Sequence, residues 1–109
     1  MNRTLIITPH LNAVVPSTQY TGTSILIPGI FFHNDITKVR ISFLQDGKKI
    51  AEIKPTSIEL NGTAILAKTP ELLPGEYSIK VSVEDFSIPD NYIESDNQFT
   101  ILIVTTPHD

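Results

Sequence analysis

Residues Leu72–Val83 read LLPGEYSIKVSV: a Pro-Gly turn, a tyrosine, and then strict two-residue alternation. Tyr77, Ile79, Val81 and Val83 fall on one side, Ser78, Lys80, Ser82 and Glu84 on the other. Successive strand residues point to opposite faces, so this is a strand with one buried and one wet face. The turn in front of it restricts the fold further. Pro74 fixes φ and Gly75 accepts dihedrals closed to other residues, which predicts a sharp turn between sheets. Tyr77 then buries its ring, and its hydroxyl bonds backbone at the bend instead of being stranded. Pro74, Gly75 and Tyr77 together read as the structural corner of a Greek-key sandwich.

The rest of the chain repeats the period-two theme, and no window carries a helical stripe. Leu11–Val15 reads as a short first strand stopped by Pro16, and Thr23–Ile27 as a second broken by Pro28-Gly29. Lys38–Gln45 and Lys48–Ile53 flank Asp46-Gly47, a type I′ hairpin signal because both central residues need positive φ. Two-residue pairing there sets Phe43 opposite Ile50, which suits a buried face, and Ile41 opposite Glu52, which does not. The far end of that hairpin is therefore expected to diverge or bulge. Asn61-Gly62 repeats the device between Thr56–Leu60 and Thr63–Lys68, and Ile58 meets Ile65 across the pair. Gln98–Thr105 is apolar on both faces, so it is either covered twice or an exposed ledge. The fold class is all-β: an immunoglobulin-like β-sandwich of about seven strands in two antiparallel sheets with Greek-key connections.

The 109 residues are expected to form one domain with its core over about residues 10–104, of a size compatible with excision from a longer protein. Hydrophobic residues at 40% and charged residues at 18% suit a self-sufficient core. There is no cysteine, which excludes disulfides and thiolate chemistry. The net charge of -4 and the scatter of eight Lys and Arg argue against direct contact with nucleic acid. The opening MNRTLIITPHLN lacks a long apolar signal region, and no stretch approaches about 20 apolar residues. Hence no membrane partner is expected: the chain as written is cytoplasmic, or surface-bound or secreted if cut from a longer protein.

With these strands in place, Thr21–Phe32 (TGTSILIPGIFF) resembles the GGTxVTITGxNF signature of IPT/TIG domains, an immunoglobulin-like family. Gly22, Thr23, Ile25, Ile27, Gly29 and Phe32 fall on its marked positions. AVVP at Ala13–Pro16 is similar to the family's opening strand, KVRISF to its third, and Thr63–Val81 to the section that ends in the Pro-Gly corner. Thr21, Pro28 and Phe31 depart from the pattern, as does Asp46-Gly47 from the family's Gly-rich turn. The strand order also resembles the C-terminal immunoglobulin-like domain of Bacteroidetes HU-like DNA-binding proteins. The resemblance implies architecture far better than it implies a partner.

Chemistry has little to stand on, and no cofactor, metal or catalytic residue is expected; the chain does not read as an enzyme. His33 and Asp35 are two potential ligands, too few for a metal site, and His10 and His108 lie near opposite termini. The triplets Asn2-Arg3-Thr4 and Asn61-Gly62-Thr63 match glycosylation sequons, and the second is explained by its turn. The connection Glu84–Asn97 holds Glu84, Asp85, Asp90, Glu94 and Asp96, and reads either as a long solvated loop or as a calcium site. It also carries Phe86, Ile88 and Tyr92, which a purely solvated connection does not need. Phe86, Asp90 and Tyr92 are therefore the candidate partner-binding residues. The leading reading is a non-catalytic interaction or spacer module that contacts another protein or a neighbouring domain. The alternatives are a glycan-binding module using Tyr20, Tyr92, Phe86 and Phe31-Phe32, and an accessory domain beside an HU-like unit.

Overall fold

A computed structural model describes residues 8–104, and the first triplet, His108 and Thr105 lie outside them. The described chain is two stacked sheets: β1 (His10–Leu11), β3 (Ser24–Ile30), β7 (Ala64–Lys68) and β6 (Ser57–Glu59) form the smaller. The larger runs β2 (Thr18–Tyr20), β10 (Phe99–Val104), β8 (Gly75–Glu84), β4 (Val39–Gln45) and β5 (Lys48–Ile53). A short β9 (Tyr92–Glu94) pairs with the end of β8. This is the immunoglobulin-like sandwich, built from more and shorter strands than the pattern suggests. Between the sheets lie Ile25, Ile27, Ile41, Phe43, Ile65, Ile79, Val81, Ile101 and Ile103, each essentially without solvent contact.

The alternation of β8 places Tyr77, Ile79, Val81 and Val83 in this core. Its other face is not uniformly wet, because Ser82 and Glu84 are also buried. The Asp46-Gly47 hairpin has positive φ at both turn residues. Its register is Leu44 to Lys49 and then Phe43 to Ala51, so Ile50 is bulged out and half exposed. The bulge is close to the turn, and it corrects two expected pairings: Phe43 faces Ala51 rather than Ile50, and Ile41 faces Ile53 rather than Glu52. By inserting one residue, the strand returns its apolar side chains to the core.

Three further expectations change, and one open alternative is resolved. Ile58 does meet Ile65, but the link is a four-residue turn, Leu60 to Thr63, with positive φ at Leu60, Asn61 and Gly62. Pro28-Gly29 does not break the second strand, since β3 continues through both. Pro28 is tolerated because its missing N–H faces Asn12, where the first strand is leaving the sheet; the Asn12 amide still donates to the Pro28 carbonyl at 2.8 Å. The expected Leu11–Val15 strand is thus only β1 and that bridge; the chain then crosses to the other sheet as β2, parallel to β10. The final strand, Phe99–Val104, buries Ile101 and Ile103 and leaves Leu102 exposed, so it is a ledge on its outer side.

Gly29 makes the close pairing of β1 with β3 possible. A Cβ there would lie 2.1 Å from the His10 carbonyl oxygen and 2.8 Å from Phe31 Cζ. Asn97 fastens the two sheets at the same edge: its amide accepts from Leu11 N at 3.0 Å and donates to Leu11 O at 2.7 Å.

Candidate functional site

The connection from β3 to β4 (31–38) and the connection from β8 to β9 (85–91) meet at one end of the sandwich. Phe31 drops into the core, while Phe32 takes positive φ and turns outward. His33 follows, and is buried. Its Nε2 lies 2.7 Å from the Glu84 carbonyl, which can only accept, so this nitrogen carries a proton. The imidazole stacks on Phe86 with centroids 4.3 Å apart. A single 3-10 turn, Ile36–Lys38, is capped by Asp35, whose carboxylate accepts from the Thr37 amide and hydroxyl. Those two bonds, the hydroxyl's first, hold the Asp35 carboxyl below the usual range.

Glu84 is the anchor. One carboxylate oxygen takes Lys38 Nζ at 2.7 Å, and the other accepts from Asp90 N at 2.9 Å. The Lys38 bond, followed by that amide, pushes the Glu84 pKa down, and the same bond pushes the Lys38 pKa up. The Asp85 amide donates to Asn91 O, and the Asp85 carboxylate accepts from Ser87 N, which closes the loop on itself. Beyond this base, Phe86 and Ile88 are 61% and 55% exposed. Asp90 sits at the return with φ 64. Tyr92 is half-buried; the Arg40 guanidinium lies 4.9 Å from its ring centroid, and its hydroxyl reaches Thr37 O at 3.3 Å. A cleft of about 430 Å³ opens between the loops, lined by His33, Asp35, Lys38, Glu84, Phe86 and Pro89.

The expectation of one long loop over Glu84–Asn97 is corrected by β9, which makes the segment a hairpin tip. After β9 the register on β8 slips by two residues before β10 begins, and Ser95–Gln98 fill the slip. Its carboxylates go separate ways: Glu84 to Lys38, Asp85 into its own loop, Glu94 toward Lys80, and Asp96 to His10 at 2.8 Å. Among the described residues no three metal-ligating side chains converge. Of the aromatics weighed as a sugar platform, Phe31 is sealed in the core and one face of Tyr92 is taken by Arg40. Lys38 and Arg40 were not legible as site residues, because their partners lie some 50 positions away in β8 and the segment after it.

The corner residues are at the opposite end of β8. Tyr77 is 3% exposed, and its hydroxyl donates to Leu73 O at 2.7 Å, across Pro74 and a Gly75 with φ 151.

Two layers paired antiparallel except where β2 runs parallel to β10, a buried tyrosine bonded across its corner and loops gathered at the sandwich ends define an immunoglobulin-like domain. The model of the IPT/TIG domain family matches residues 9–101, and the chain belongs to that family. Domains of this family are generally non-catalytic interaction modules. CopC from Methylosinus trichosporium OB3b superposes with a TM-score of 0.57 at 16% identity, over 92% of this chain and 97% of that one. A structural-genomics protein of unknown function from Bacteroides thetaiotaomicron VPI-5482 gives 0.64 at 21% identity, over 90% of this chain. This chain spans only 22% of that protein. Both likenesses speak to the fold alone. No curated protein is recognisably similar in sequence.

Proposed function

We propose that this domain docks another protein, or a neighbouring domain of a longer chain, through the sandwich end that carries Phe86, Asp90 and Tyr92. One observation carries the reading: two large apolar side chains, Phe86 and Ile88, are held in solvent by a loop whose base is fastened. A free loop would lose entropy on binding, about 0.5–1.5 kcal/mol for each immobilised side chain, and a pre-organised one loses less. Exposed aromatics on such a support are the usual centres of interfaces. The surrounding carboxylates, Asp35, Asp85 and Asp90, favour a partner with basic groups near its apolar contact.

A photo-crosslinking amino acid placed at Ser87, and in parallel at Gly47 on the opposite end, tests this in cells that express the natural protein. A discrete crosslinked product from position 87 that disappears with Phe86→Ser supports the reading. Products from position 47 alone, or products indifferent to Phe86, overturn it.

A further inference from the structure

The outward faces of the two sheets differ: the larger carries its charges over β4, β5, β8 and β9 and keeps its apolar ledge, Tyr20 and Leu102, to the β2–β10 edge. On the larger sheet, Lys80 faces Glu94, Lys49 faces Glu52, and Arg40 covers Tyr92. On the smaller sheet the strand register lines up Val15, Leu26, Leu66 and Ser57 in one outward row, and Pro28, Ala64 and Glu59 in the next. Ile30 extends the apolar surface beside His10, and Val15, Leu26 and Ile30 are 51%, 38% and 50% exposed. A polar outer face is the ordinary solution for a solvated sheet, and an apolar one calls for a cover.

We infer that this face pairs with the same face of a second copy. Its charges are arranged for self-pairing. Lys68 lies two residues from the Leu26–Leu66 row in one direction along the strands, and the Glu59 row lies two residues away in the other. A two-fold axis in the interface, across the strands at the central row, sets Leu26 and Leu66 against their own copies. It brings each Lys68 over the partner's row that holds Ala64 and Glu59, one strand spacing from the carboxylate. Such an isologous contact closes at two copies. A two-fold along the strands places Lys68 over Ser24 instead and gains no ion pair. Four strands about 4.8 Å apart, the longest of seven residues at about 3.4 Å each, make a face of at most about 19 by 24 Å. That buries at most about 900 Å² in total, below the roughly 1,200 Å² of stable complexes, so the dimer is weak.

Sedimentation equilibrium of the whole chain from about 10 μM to 1 mM tests the inference. The expected mass rises from the 12.1 kDa monomer toward twice that value. Leu26→Lys, which sets two ammonium groups near the axis, should leave a monomer with an unchanged fold by circular dichroism. Lys68→Glu should weaken association about tenfold, and Lys68→Glu combined with Glu59→Lys should restore it. Both charged side chains are exposed, so these variants do not depend on the core. A monomer at 1 mM, a dimer that survives Leu26→Lys, or a charge swap that fails to restore association each overturns the inference. Phe86→Ser should leave the dimer untouched, which separates this surface from the loop end.

Discussion

Tyr77→Phe isolates what the corner hydroxyl contributes. The ring is retained in its core site, where Tyr77 is 3% exposed, and only the 2.7 Å bond to the Leu73 carbonyl is removed. A hydrogen bond contributes about 0.5–1.5 kcal/mol net, and an unsatisfied partner adds to the loss, which gives about 1–2 kcal/mol. For a chain of 109 residues the unfolding entropy at the midpoint is about 0.23 kcal/mol/K, so Tm should fall by roughly 4–9 °C. Urea denaturation should show a lower midpoint with unchanged slope, since the surface exposed on unfolding is the same. Leu73→Ala is the control. That side chain is 81% exposed and Leu73 contributes only its carbonyl, so the change should stay within about 0.5 kcal/mol. Tyr77→Phe within that same margin of wild type would refute the bond as a stabilising element.

Gly29→Ala should cost about 3 kcal/mol, or roughly 13 °C in Tm by differential scanning calorimetry, because the new Cβ meets backbone that can yield only by unpairing β1. Asn97→Ala should cost about 2 kcal/mol and speed hydrogen exchange at the Leu11 amide, which loses its acceptor while its carbonyl loses a donor. The Lys38–Glu84 pair should hold the loop base over a defined pH window. Glu84 has a lowered folded pKa, so its contribution is complete above the ordinary 4.5 and is lost as pH falls through the folded value. Lys38 has a raised folded pKa, so its contribution is complete below the ordinary 10.5 and is lost as pH rises through the folded value. Amide spectra of Phe86 and Asp90 should therefore change on acidification below about pH 4.5, and the part of that change carried by Glu84 should be missing in Glu84→Gln.

Local chemistry made the sandwich legible. Alternation in β8, the two positive-φ turns at Asp46-Gly47 and Asn61-Gly62, and the Pro-Gly bend each act over a few residues, and each leaves a signature in order. What escaped depends on neighbours distant in the chain. Whether Pro28 ends a strand depends on what lies across from it, and there the first strand ends at Asn12, whose amide still donates to the Pro28 carbonyl. The Ile50 bulge satisfies burial of Ile41 and Phe43 together, so pairing by turn length alone misplaces both partners. Residues 18–20 have no alternation long enough to announce β2, and Tyr92–Glu94 is a strand only because Ser82–Glu84 extends beside it. The loop end was legible in part: Phe86 and Tyr92 stand out as apolar residues in a charged segment. The buried His33 and the Lys38 beneath them do not, since their roles come from contacts some 50 residues away.

The same dependence explains why the outer face of the smaller sheet could not be read from the strands one at a time. Leu26, Pro28 and Ile30 look like the second side of a two-faced buried strand, and Ala64 and Leu66 like a short apolar run. Only the register turns them into one surface, because Leu26 meets Leu66 and Pro28 meets Ala64 on the side away from the core. A sheet that must stay solvated beside its neighbours would be expected to place charges in those rows, as β4, β8 and β9 do on the opposite layer with Arg40, Lys80 and Glu94. The two layers therefore differ outward: one carries charges over most of its strands, the other an apolar flank on which Val15, Leu26 and Ile30 stay exposed. The fastened apolar loop at one end and the apolar flank on one side are separate surfaces, and substitutions at Phe86 and Leu26 test them independently.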